Sequence, residues 1–306
     1  MNFVLGAAGH PNIHWTFDVG PLAAMAVGAY VYVRRFRAVR AEARVRGAGR
    51  QEGGASWAVP TEGGARRSAP VRGVGAIQAL AFTAALLALL TALVSPVDGL
   101  GEDYLFAAHM VQHVLLGDIA PLLLLLSLSR VIMRPATRRL SGVERRLGAL
   151  ASPPAFIALW LALIYFWHVP ALYDAALRNP AVHALEHLCF FSAGVAVWWP
   201  LIQPVPMRRR MTGIQPLLYI FAAKVGLAVL GIYLAWSTSL AYDYYATVPR
   251  VWGLSAIEDQ NAGGAIMLVE QSIVLVIVMS VLLVRMLVQS EEEERRRERL
   301  EDAAPA

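Results

Sequence analysis

The 306-residue chain is 57% apolar and only 16% charged, with a mean hydropathy of +0.51, which excludes an ordinary soluble domain and points to a multi-span membrane protein. Its formal charge of +5 is not accompanied by aromatic-basic interleaving or a recognition fold, so no nucleic-acid partner is expected. A single cysteine, Cys189, excludes an internal disulfide and any two-thiolate metal site within one chain; it reads as a small buried core residue.

Residues 1–14, with His10 and His14, form a polar N-terminal segment expected outside the cytoplasm; without a basic n-region it does not read as a cleaved signal. Seven apolar stretches follow, each a candidate to cover roughly 30 Å of hydrocarbon at about 1.5 Å per residue. They are Trp15–Val33, Val74–Val94, Tyr104–Leu128, Ser152–Trp167, His183–Ile202, Gln215–Trp236 and Ala262–Val288. The fourth is short and needs tilt or a flanking turn. The first span, taken as 15–35, is followed at 36–73 by an Arg/Gly-rich segment with no apolar periodicity, expected to be a disordered cytoplasmic loop. The remaining six spans make one bundle over 74–290. Residues 291–306 form a charged tail whose Glu/Arg spacing suits a solvated extension of the last helix.

Of the 26 arginines, 24 fall on alternate connections, leaving Arg178 and Arg250 on the others. Because Arg-rich loops are retained in the cytoplasm, the expected topology is an all-α bundle of seven transmembrane helices, N-terminus out and C-terminus in. That orientation places all seven histidines at the outer side.

His109 and His113 lie one helical turn apart on one face, and His183 and His187 repeat the spacing on another span. Two helices each presenting such a pair is how a bundle builds an interior metal site, and polar helix–helix hydrogen bonding is the competing explanation. Imidazole suits copper, zinc, iron and nickel; Met110 or Cys189 would favour copper(I), and Gln112 and Glu186 are candidates to fix a histidine tautomer. His168, before Pro170 and beside aromatics, reads either as a further ligand or as an interfacial anchor. Asp18 and Asp259 read as helix N-terminal caps or as carboxylates on a cation path. Lys224 and Glu270 are expected at a similar depth, as a buried ion pair or a proton relay, and Asp118 has no partner visible in the sequence.

Several of these segments resemble a known family. Trp15-Thr-Phe-Asp18, Ser95-Pro96-Val97-Asp98, His109-Met-Val-Gln-His113 with Ala120-Pro121-Leu122-Leu123, and Trp167-His168-Val-Pro170 with Leu172-Tyr-Asp-Ala-Ala176 are four of them. His183-Ala-Leu-Glu-His187, Trp198-Trp199-Pro200 and Asp259-Gln260-Asn-Ala-Gly263-Gly264-Ala-Ile-Met267 complete the set. In this order they resemble the multi-span, CtaG-type cytochrome c oxidase assembly factors associated with caa-type oxidases. The resemblance implies a bacterial plasma-membrane protein that matures haem–copper oxidase, with oxidase subunits as partners. It marks His109, His113, His168, His183, His187 and Asp259 as functional positions. The expected function is non-enzymatic binding and delivery of copper through an outer histidine cluster. A membrane haem-binding oxidoreductase and a copper or proton transporter are the alternatives, separable by a Soret band and by flux into sealed vesicles.

Overall fold

A computed structural model describes residues 15–52 and 74–302, and the described part is all helix with no strand. His10 and His14 lie outside the described residues. Helix α1 (Val19–Glu52) leads to α2 (Ala76–Leu93) and α3 (Pro96–Asp103). Next come α4 (Phe106–Val114), a π turn (Leu115–Ile119) and α5 (Ala120–Ser127), one continuous segment. Helix α6 (Arg130–Leu147) passes through a 3-10 turn (Gly148–Ala151) into α7 (Pro153–Trp167), which α8 (Pro170–Arg178) and α9 (Pro180–Ile202) follow. The chain ends with α10 (Gln215–Trp236), the short α11 (Tyr244–Thr247) and the long α12 (Ala256–Asp302).

Five segments are long and apolar enough to cross a membrane: α2–α3, α4–α5, α9, α10 and α12. A sixth arises if α6 and α7, bent by 78°, count as one broken span. The expected count of seven is therefore not reached. The shortfall lies in α1, whose apolar part runs only from Val19 to Val33 before Arg34, about 22 Å of helix. The same helix continues to Glu52, so the segment expected to be disordered from residue 36 is helical to 52, and 53–73 lie outside the described residues. Helix α12 continues into the charged segment as far as Asp302, with the side chains of 291–302 exposed.

The core is built around α4, α7, α9, α10 and α12, with Trp160, Trp198, Tyr173, Tyr242, Tyr245, Phe106, Phe190 and Met110 as its largest fully buried side chains. Membrane helices lack a hydrophobic force between them and rely on small residues for close approach. Gly263 presses against Phe106 and Met110 of α4, and Gly264 against the backbone at Leu234 and Ala235 of α10. These contacts lock α12 between α4 and α10.

The π turn has a local cause. Pro121 has no amide hydrogen to donate to Gly117 four residues earlier, and its ring would crowd that carbonyl. The backbone widens instead, with the Ala120 amide donating to Leu115 five residues back. Gly194 of α9 sits directly against the freed Gly117 carbonyl. Helix α9 thus approaches the α4–α5 segment most closely at the π turn and α5. At the level of α4, histidine side chains fill the space between them.

A buried histidine cluster held by tyrosines and acids

Two capping devices set the heights of the histidine helices. The carboxylate of Asp259, on α12, accepts hydrogen bonds from the first amides of α4, Phe106 at 2.9 Å and Ala107 at 3.0 Å. Helix α9 opens on Asn179, whose side chain accepts from the Ala181 and Val182 amides, followed by Pro180. Both arrangements satisfy amides that a helix start leaves free. Asp259 is fully buried and also 3.6 Å from the Arg250 guanidinium, so it acts as a cap from a neighbouring helix.

All five histidines of the expected set come together. The rings of His109 and His113 are 4.2 Å apart on α4, and those of His183 and His187 are 4.0 Å apart on α9. Across the helices, Nε2 of His183 lies 3.4 Å from Nε2 of His109. His168, at the end of α7, stands 5.8 Å from His113, ring to ring. Ligand atoms of His109, His183 and His187 all lie within 4.8 Å of one another, as do those of His109, His113 and Glu186.

Proton placement follows from the neighbours. Nδ1 of His183 is 2.7 Å from the Glu102 carboxylate and donates to it, so in the neutral ring Nε2 is the lone pair. Nδ1 of His168 faces the Ile164 carbonyl at 2.8 Å and must donate, leaving its Nε2 without a partner. Around Nδ1 of His109 sit two phenol oxygens, Tyr173 at 2.9 Å and Tyr245 at 3.1 Å. Tyr245 spends its hydrogen on the Gly101 carbonyl at 2.6 Å, so its oxygen is an acceptor for His109. Burial pushes both phenols well above the usual tyrosine range, and both keep their hydrogens.

His109 can therefore take either of two tautomers. With hydrogen on Nε2 it bridges to His183; with hydrogen on Nδ1 it donates to Tyr245, and two bare Nε2 atoms face each other across 3.4 Å. Metal–imidazole bonds of about 2.0–2.1 Å at a tetrahedral angle put two ligand nitrogens about 3.3–3.4 Å apart. Further buried atoms have no hydrogen-bond partner: both nitrogens of His113, Nε2 of His187 and both carboxylate oxygens of Glu186. Buried polar groups are rarely left so; Nε2 of His113 and a Glu186 oxygen face each other at 3.7 Å, beyond hydrogen-bond reach.

The other sequence candidates have separate positions. Gln112 donates to Asp98 at 2.6 Å and to the Ala92 carbonyl at 2.8 Å, tying α4 to α3 and α2 without touching a histidine. Met110 is fully buried against Gly263, whereas Cys189, expected as a buried core residue, is only partly buried at the edge of the core. Asp18 is exposed ahead of α1 and makes no contact with the cluster among the described residues. Lys224 pairs with Asp118, the residue for which the sequence offered no partner. Glu270 belongs to the same buried group through Gln271, whose amide reaches both carboxylates. Glu102, Tyr173 and Tyr245 were not legible as site residues. Tyr173 lies in the Leu172-Tyr-Asp-Ala-Ala motif, which was their one signal.

A family model described as cytochrome c oxidase caa3 assembly factor (Caa3_CtaG) matches residues 63–289. Uncharacterized proteins of Mycobacterium bovis and Mycobacterium tuberculosis are each 27% identical over 178 residues, and one of Mycobacterium leprae is 27% identical over 177. Each match covers 53% of this chain and 27% of the relative, so the chain corresponds to about a quarter of those longer proteins. No solved structure matches.

Proposed function

This chain belongs to the cytochrome c oxidase caa3 assembly factor family, and we propose that its own task in oxidase maturation is to hold copper in the histidine cluster and hand it to an oxidase subunit. Copper is cargo in this reading, taken from and returned to a partner, and no bond of the substrate is made or broken. The observation that carries it is the pair of Nε2 atoms on His109 and His183, 3.4 Å apart, with an oxygen acceptor at each Nδ1. Second oxygen partners of this kind fix imidazole orientation and raise ligand basicity. His187 and His113 supply further nitrogens and Glu186 a carboxylate without hydrogen-bond partners, His113 and Glu186 facing each other at 3.7 Å; such a set suits copper as it does zinc, iron and nickel, and membership of an oxidase assembly family is what favours copper.

Glu102 gives the cluster its contact with solvent. Its side chain is 42% exposed while His183 beside it is buried, so a cation arriving from water meets this carboxylate first. We place this end of the bundle on the outer face because 24 of the 26 arginines fall on the connections at the other end. Transfer is then lateral, to an oxidase subunit in the bacterial plasma membrane. The cavity beside His113 and His168 holds about 30 Å³, which favours an ion over a porphyrin in this position.

The test is metal content. Wild type and the double variant H109A/H183A, purified after copper loading, are compared by mass spectrometry and by absorption. Copper retained by wild type and lost from the variant, with no Soret band, is expected. Equal copper in both, or a Soret band, overturns the assignment.

A further inference from the structure

Below the histidines lies a second buried polar group drawn from four elements. Asp118 of the π turn accepts from the Trp198 indole at 2.7 Å and from Gln271 at 3.3 Å, and pairs with Lys224. The Lys224 ammonium is also 5.2 Å and 5.6 Å from the rings of Trp198 and Trp160. Every charge on Asp118 and Lys224 is thus answered. Glu270 is the odd member: one oxygen takes the Gln271 amide, the other has no donor, and its carboxyl lies within hydrogen-bond reach of the Asp118 carboxylate, a contact that needs a proton between them. Two carboxylates against one ammonium leave a surplus negative charge within the apolar bundle, where an uncompensated charge is expensive. A proton on Glu270 removes it.

Between this group and the metal cluster is a cavity of about 30 Å³, lined by His113 and His168 at one end and by Asp118 and Gln271 at the other. That volume and those four polar walls suit one water molecule. The unpartnered Oε1 of the buried Gln271 belongs to the same wall.

We propose that Glu270 is a proton-holding site coupled to the histidine cluster: when a cuprous ion enters the cluster, the Glu270 carboxylic acid releases its proton to bulk water and becomes a carboxylate. One positive charge arrives and one leaves, so the bundle keeps its net charge. This rests on the copper reading above. The titratable groups facing Glu270 are Asp118 from the π turn and Lys224 from α10, while α9 and α7 contribute neutral indoles. His113 and Asp118 are five residues apart, about 7.5 Å of helical rise and about 9 Å between their Cα atoms, which sets the separation of the cluster and the acid group. At an effective dielectric of about 20, one added charge at that distance lowers the proton affinity of Glu270 roughly tenfold.

The experiment is infrared spectroscopy of the purified full chain, titrated with acid and base before and after adding cuprous ion, with bound copper measured on the same samples. Wild type is expected to show the C=O stretch of a neutral carboxyl that is absent from E270Q, its pH midpoint falling by about one pH unit on copper loading. E270Q, which keeps the shape of the side chain, should bind the same amount of copper. An E270Q spectrum identical to wild type overturns the proton-holding role. Copper bound with the midpoint unmoved overturns the coupling alone. No copper bound to wild type overturns the metal reading and the coupling with it, while the metal-free comparison still decides whether Glu270 is protonated.

Discussion

Replacing Gly194 by alanine should loosen the histidine cluster from a distance. An added Cβ would stand 2.2 Å from the Gly117 carbonyl oxygen and 2.7 Å from Pro121 Cγ. Normal contact is about 3.5 Å, and neither neighbour is the tip of a flexible side chain, so α9 must retreat by roughly 1 Å. Overpacking of this kind costs about 1–3 kcal/mol. His183 and His187 ride on the same helix, and their distances to His109 and His113 grow with it. Metal ligation tolerates about 0.2 Å and a ligand pair held 1 Å too wide loses its geometry, so copper affinity should drop about 10–100-fold, as when a supporting partner is removed. A competition titration with a cuprous chelator and a thermal melt read both effects. G28A is the control: Gly28 has open space around it in α1, and alanine in a helix interior adds about 0.5–1 kcal/mol. A G194A variant that melts with wild type and binds copper as tightly would refute the account of how α9 is seated.

Removing the phenol oxygens from His109 (Y173F with Y245F) should weaken copper binding about 10–100-fold without changing the number of ions bound, measured by the same titration; unchanged affinity would show that the tyrosines only pack. D259N should lower stability by about 1–2 kcal/mol, because one amide oxygen cannot replace a carboxylate across two helix-start amides; copper stoichiometry should persist, and its loss at full stability would make Asp259 a ligand. In α8, burial holds the Asp174 carboxyl above the usual range. A raised carboxyl favours the folded state most below about pH 4, and that contribution is lost as pH rises through the folded value. The Tm of D174N should therefore be less sensitive to pH over that window, and an unaltered slope would contradict it.

The spans that sequence placed well are those with a clean apolar run and a hard stop. Gln215–Trp236 is α10 to the residue, because Pro216 opens it and Trp236 is followed by the polar Ser237-Thr238-Ser239 turn. The first span is less sharply defined: Trp15 to Asp18 precede the helix, and the apolar run that remains before Arg34 is short for a full crossing. The histidines were legible, since i,i+4 spacing survives wherever a helix is regular. Their oxygen partners were not: Glu102, Tyr173 and Tyr245 come from α3, α8 and α11, short elements whose placement depends on the whole bundle. Lys224 shows the same limit. Equal depth pairs it with Glu270, and the two do face each other, but depth omits rotation, and the ion pair itself is with Asp118. Asp118 lies about 140° from His113 on a regular helix, and the π turn forced by Pro121 is what re-aims it toward α9 and α10.

The central claim is that copper is held by imidazole nitrogens of this cluster. X-ray absorption at the copper edge of the cuprous-loaded full chain tests it most directly. The account predicts a first shell of imidazole nitrogens at about 2.0 Å, lost in H109A/H183A. A sulfur shell from Met110 or Cys189, or an unchanged spectrum in the variant, would contradict it.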